Sequence, residues 1–287
     1  MNNVNSQIKY FLYGTILFAC SMIMLVPVAD ARGFGMGGPM MGSSPKMGEA
    51  NQNKPDTVER RDSNIRATGM TPVFPAGYLC QPIASPYASP TRYDGSLRRD
   101  DRNGGLHGGM DLSLKEGTPL LAVARGTIIA KGKGGMLEGN YLWLKLDPAD
   151  TGFPFYVFAK YQHLSQVPIL NEGDVVEVGQ VVALSGNTGT AGGHFGSEGY
   201  YHLHLSISAG PSGAYEKIGM FGSMVKAAGA NLADPLLLYA QGVEDPEEAY
   251  SLPEDRKQVH VPVVDTKGVI HPAGSKTVWP VKCEYLG

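Results

Sequence analysis

The sequence predicts an all-β protein, an antiparallel β-sandwich or barrel, and three observations carry that expectation. Between about Val73 and Tyr239 the apolar residues fall in short runs of strand length. Glycine turns separate the runs, and glycine is abundant throughout, at 38 of 287 residues. Helical periodicity is almost absent from the same region. In chain order, PLLAVARGTIIAKG reads as strand, turn and strand. NYLWLKLD and FYVFAKYQHL follow as two more strands, joined by the loop PADTGFP. DVVEVGQVVALSG reads as a hairpin, and YYHLHLSIS as the next strand. One stretch, IGMFGSMVKAAGA, reads as a possible helix outside the strand pattern, broken by glycine.

The flanks read differently. Lys9 is followed by an apolar run from Tyr10 to Val28 and by Ala29-Asp30-Ala31, the pattern of a secretory signal peptide over residues 1–31. Export follows from that reading, with membrane contact only through this segment if it stays uncleaved. Residues 32–75 are rich in Gly, Met and Pro and read as an unstructured tether. The strand-rich domain spans 76–240, and a short C-terminal extension 241–287. Removal of Cys20 with the signal segment leaves Cys80 and Cys283, an even pair expected to form a disulfide in an exported protein. A net charge of −3 without a long basic run gives no sign of a nucleic-acid partner.

The chemistry resides in three segments. In YYHLHLSIS a strand period of 2 puts His202 and His204 on one face, and Leu203, Leu205 and Ile207 on the other. In LHGGMDLSL, His107 and Asp111 are four residues apart. On a straight strand their Cα atoms would stand about 13 Å apart, too far to share an ion whose N and O ligands lie at about 2.0–2.2 Å. Gly108 and Gly109 permit the bend that would bring them together. In AKYQHLS, His163 ends an aromatic-rich strand. Four histidines and one aspartate in a single β domain are enough for a metal with three protein ligands and two groups for proton transfer.

With these residues the sequence resembles the lysostaphin-like (LytM-type) zinc endopeptidases of peptidoglycan. His107-Gly-Gly-Met-Asp111 is similar to their H-x-x-x-D, Tyr161-Gln-His163-Leu164 to their Y-x-H-L, and Gly186-Asn-Thr188-Gly189 to their G-x-T-G turn. His202-Leu-His204 is similar to their H-x-H, and Asp234-Pro235 to their D-P ending. The resemblance covers about residues 82–240 and implies a β-fold of the duplicated hybrid motif type. It implies Zn²⁺ bound by His107, Asp111 and His204, with His163 and His202 as catalytic histidines. It further implies peptide stems of peptidoglycan as substrate, at a periplasmic or envelope location. The sequence departs from the family where Leu205-Ser206 replaces a common Phe-Glu, and where the loop before His202 carries an extra histidine, His194. Two other readings stay open at this level: a non-catalytic regulator of cell-wall amidases, and a carrier or binding domain of similar β architecture.

Overall fold

The computed structural model describes residues 65–98, 103–190, 200–219 and 222–287. The signal segment, most of the tether and His194 lie outside the described residues. The chain starts with two short strands, β1 (Thr71–Val73) and β2 (Tyr78–Leu79). Then come β3 (Met110–Ser113), β4 (Pro119–Leu121), β5 (Gly126–Lys133) and β6 (Asn140–Leu146). After a single helical turn, α1 (Pro148–Thr151), follow β7 (Tyr156–Leu164), β8 (Val175–Val176), β9 (Val181–Leu184) and the long β10 (His202–Gly210). The last are β11 (Tyr215–Ile218), β12 (Met224–Ala227), β13 (Asn231–Ala233), β14 (Gln258–His260), β15 (Val263–Val264), β16 (Ile270–His271) and β17 (Glu284–Tyr285). Among the described residues no helix is long and apolar enough to cross a membrane.

The fold is all-β and mainly antiparallel. Its centre is a seven-stranded sheet in the order β13-β10-β7-β6-β5-β8, with β3 also paired to β10. One face of that sheet holds the main core. Leu203, Leu205 and Ile207 of β10 are fully buried there beside Val157, Ala159 and Tyr161 of β7, as strand alternation requires. The opposite face has a smaller core of Trp143, Tyr141 and Phe158. Within it lies the Lys160–Glu138 ion pair, at 3.0 Å, with the ammonium over the Tyr141 and Trp143 rings.

Three sequence expectations are corrected by the structure. The segment 218–230, read as a possible helix, instead contributes Ile218 and Met224–Ala227 to the antiparallel pair β11–β12, with Ile218 opposite Met224. Gly219 and Gly222 between the strands both adopt left-handed φ, which reverses the chain where a helix would continue. The segment 174–186 is not a hairpin, because β8 pairs with β5 while β9 pairs with β4. A turn closed by Gln180 N–H donating to the Glu177 carbonyl, with Gly179 left-handed, carries the chain from one sheet to the other.

The tether boundary at residue 75 falls inside folded chain. Ile65 and Met70 are buried, the Thr68 hydroxyl donates to Asp234 Oδ2 at 2.5 Å, and β1 runs parallel to β14. Composition hides this because a three-residue strand adds too few apolar residues to show periodicity. The C-terminal extension packs into the domain. Val259, Val261, Val263, Trp279 and Val281 share the main core with β7 and β10. Trp279 is wholly buried and its indole N–H donates to the Gln81 carbonyl at 3.2 Å. The expected Cys80–Cys283 disulfide is present, and β2 pairs with β17 beside it.

Candidate metal centre

Asp111 and His204 stand directly opposite each other in the β3–β10 register, and His202 stands opposite Ser113. An antiparallel register therefore brings an aspartate and two histidines to one place on one face. His107 lies just before β3. Gly108 and Gly109 carry the chain from it to Met110, and neither needs a left-handed φ. What Gly109 supplies is closeness: a Cβ there would stand 2.4 Å from the Leu205 carbonyl oxygen and 2.9 Å from Cε1 and Nε2 of His204. The bare backbone thus covers the Nε2 side of the His204 ring, and its Nδ1 faces the cluster.

Three donor atoms converge there. His107 Nε2 lies 3.1 Å from His204 Nδ1 and 3.2 Å from Asp111 Oδ1, and Asp111 Oδ1 lies 2.8 Å from His204 Nδ1. Two donors at about 2.0–2.1 Å from one tetrahedral ion stand about 3.3 Å apart, so the triangle is slightly tighter than a zinc site needs. The donor set, two imidazoles and a carboxylate, is one that zinc accepts, and the same three residues form a metal-competent group by proximity. Their outer contacts fit as well. His107 Nδ1 donates to the Pro86 carbonyl at 3.0 Å, which leaves its Nε2 lone pair pointing into the triangle. Arg98 donates to Ser85 Oγ at 2.9 Å and to Asp111 Oδ2 at 3.4 Å, so the second carboxylate oxygen is occupied and Oδ1 is presented alone.

His163 reaches the cluster by another route. Between Leu142 and Asn140, β6 advances two residues while β7 advances three, from Tyr161 to Leu164. His163 falls in this bulge with φ of 62°, a left-handed conformation that costs a non-glycine residue about 1–2 kcal/mol. The extra residue lets both Tyr161 and Leu164 face the main core and frees the imidazole between them. The His163 ring centre lies 4.6 Å from that of His202 and 5.9 Å from that of His204.

Both rings of the pair are held through Nδ1. His163 Nδ1 donates to the Thr188 carbonyl at 2.9 Å, and His202 Nδ1 to the Tyr200 carbonyl at 2.8 Å. The nitrogen left on each ring is Nε2. Thr188 is itself fixed: its hydroxyl donates to the Leu164 carbonyl at 2.6 Å and accepts from Asn140 N–H at 2.9 Å. A Cβ on Gly139 would stand 2.0 Å from the Thr188 carbonyl oxygen, so only glycine permits this contact.

Burial sets the electrostatics. It pushes His163 well below the ordinary imidazole range, helped by the neighbouring His202 and His204. It lowers His202 too, against the pull of Asp111, and lowers His204 to about 4. Burial alone would raise the Asp111 carboxyl, but His107 and His204 outweigh it and hold the group well below the ordinary carboxylate range. His163, His202 and His204 accordingly favour the neutral imidazole beside an ionised Asp111 carboxylate, the state in which these groups can act as ligands or bases.

Sequence reasoning named the five clustered side chains. It did not find Arg98, nor the carbonyl groups of Pro86, Thr188 and Tyr200. The Thr188 turn stood out as a pattern, but a backbone acceptor leaves no residue-type signal of its own.

The model of "Peptidase family M23" matches residues 105–214, a span that contains all five side chains. This segment is thus similar to family M23 peptidase domains. An uncharacterised metalloprotease of Haemophilus influenzae is 35% identical over 103 residues, covering 35% of this chain and 19% of that protein. Lysostaphin of Staphylococcus simulans is 34% identical over 88 residues, 30% of this chain and 16% of that protein. A lipoprotein NlpD/LppB homolog of Pseudomonas aeruginosa is 33% identical over 125 residues, 43% of this chain and 37% of that protein. The matches thus span well under half the length of these curated relatives. Among solved structures, the catalytic domain of lysostaphin from Staphylococcus simulans is 25% identical, with a TM-score of 0.31, covering 53% of this chain and 86% of that one.

Proposed function

We propose that this protein is an exported zinc endopeptidase that hydrolyses peptide cross-links of bacterial peptidoglycan. The observation that carries the reading is the convergence of His107 Nε2, Asp111 Oδ1 and His204 Nδ1 within 3.2 Å of one another, beside two further buried imidazoles. His107, Asp111 and His204 would hold the ion. Zinc held there would supply Lewis acidity, to activate water and to polarise a peptide carbonyl.

His163 and His202 handle the protons. With each Nδ1–H committed to a backbone carbonyl, each Nε2 carries the lone pair and can accept a proton from an attacking water. Once protonated, either can donate to the departing amine, and burial makes both release the proton readily. The His163 bulge and the Thr188 turn hold that ring in place, so little reorganisation is needed as charge develops. A peptidoglycan substrate and an envelope location are supported by the likeness to lysostaphin and to a lipoprotein. A purely regulatory role is less well supported, since the three donor atoms are complete and convergent.

The test is zinc content of the purified protein together with hydrolysis of purified sacculi. One zinc per chain with release of cross-linked peptides is expected. A protein without bound zinc, or a zinc-loaded protein that leaves sacculi intact, would overturn the reading.

A further inference from the structure

On the far side of Tyr200 from His202 lies an open cleft of about 1000 Å³, lined by none of the five clustered side chains. Its near wall is continuous with the site. Ser113, opposite His202 in register, lines it, and so does Tyr200, whose ring stacks on His202 at 4.6 Å. Tyr93 stacks on Tyr200 at 3.9 Å, extending the row of flat rings away from the histidines. The far wall lies outside the M23 segment. It is built from Cys80 and its neighbours and from Thr266 and Lys282 of the C-terminal extension. The Cys80–Cys283 bond and the β2–β17 pair tie those two stretches together.

The charge of this cleft differs from that of the whole chain. The protein carries a net −3, yet the cleft presents two exposed ammonium groups, Lys115 on the near wall and Lys282 on the far wall. Glu284 is the only carboxylate among the described lining residues. Lys282 Nζ donates to the Thr266 carbonyl at 3.2 Å, which commits one of its three N–H groups. The volume is at the upper end of the roughly 300–1,000 Å³ typical of ligand sites, room for several residues of extended peptide. Tyrosine faces and hydroxyl or amide side chains suit such a chain, and facing lysines suit an acidic group on it.

We infer that this cleft binds a peptide carrying a free carboxylate, that Lys115 and Lys282 recognise the carboxylate, and that the bound strand leads to the His163–His202 pair. On the hydrolase reading above, that peptide is the stem flanking the bond to be cut. The C-terminal extension is then part of the substrate-binding surface, with the disulfide holding its wall in position.

The experiment uses the full chain, disulfide intact and zinc-loaded, with His163→Ala to prevent turnover. Calorimetry compares a soluble disaccharide–tetrapeptide with the same compound amidated at its carboxyl groups. The free acid should bind about tenfold or more tightly than the amide, as expected for one charge-assisted contact made or lost. Lys115→Glu with Lys282→Glu should weaken binding of the acid by about 30-fold or more and erase the preference for it. Lys115→Gln with Lys282→Gln should fall between. Both lysines are exposed, so these changes leave the core intact. Equal binding of acid and amide, undiminished binding by the charge-reversed protein, or no binding by the parent would overturn the assignment. Hydrolysis of sacculi by the wild type is scored separately. Binding with the predicted charge dependence but no hydrolysis would sink the hydrolase reading and keep the cleft assignment; hydrolysis without charge dependence would do the reverse.

Discussion

Asp111 and His204 face each other across two regular antiparallel strands, while His163 arrives on a bulge in a left-handed conformation and is held by a turn from elsewhere in the chain. The two halves of one cluster are thus built by opposite means. Regular pairing gives a donor triangle whose geometry follows from register alone. Irregular backbone gives an imidazole that could not otherwise face the triangle, because ordinary alternation would send it into the core beside Tyr161. The difference teaches what each half should tolerate. The triangle depends on its side chains, whereas the imidazole pair also depends on backbone contacts that hold its rings.

The largest effect separates the halves directly. Asp111→Ala removes the carboxylate shared by His107 and His204 and leaves Arg98 without that partner. Metal content should fall to background and activity with it, by more than about 10³-fold, measured by metal analysis and sacculus hydrolysis. Full zinc occupancy in that variant would break the comparison at its first term. His163→Ala comes next: zinc should remain stoichiometric while kcat falls by about 10²–10⁴-fold. It should also relieve little strain, because alanine at φ of 62° is itself disfavoured.

Gly109→Ala tests how far the triangle depends on backbone closeness. Its methyl group would meet the Leu205 carbonyl and the His204 ring, so one of them must shift. A stability loss of about 1–3 kcal/mol and weaker zinc binding are expected, read by thermal unfolding and chelator competition. Thr188→Ala probes the other half. It removes the hydroxyl that bonds to Leu164 and Asn140 while keeping the carbonyl that accepts from His163. Stability should fall by about 1–3 kcal/mol, and kcat by about tenfold with zinc retained. Unchanged kcat would show that the His163 ring is held well enough by the bulge alone.

How much of this was legible in the sequence varies along the same division. Strand alternation in YYHLHLSIS put His202 and His204 on one face, and the motif resemblance joined His204 to His107 and Asp111, side chains that do stand together. His163 was legible as a residue but not as a bulge, since nothing in AKYQHLS marks the extra residue. Arg98 went unread because it approaches Asp111 from a loop with no periodic pattern. The packed stretch from Ile65 to Val73, with Ile65, Thr68 and Met70 buried, read as tether because its partners, Asp234 and β14, lie more than 160 residues away in sequence. The segment 218–230 read as a possible helix because Met and Ala carry little strand signal and glycines break the alternation. Cysteine counting, in contrast, needed no pattern at all, and Cys80 and Cys283 are joined.

The most direct test of the central claim uses the two histidines that share a strand face two residues apart. His202→Ala and His204→Ala are prepared in parallel, and zinc per chain and kcat on purified sacculi are measured on the same samples. The division of labour predicts that His204→Ala loses zinc and activity together. It predicts that His202→Ala keeps one zinc per chain yet loses about 10²–10⁴-fold in kcat. Equal zinc loss in both variants, or wild-type activity in either, would contradict it.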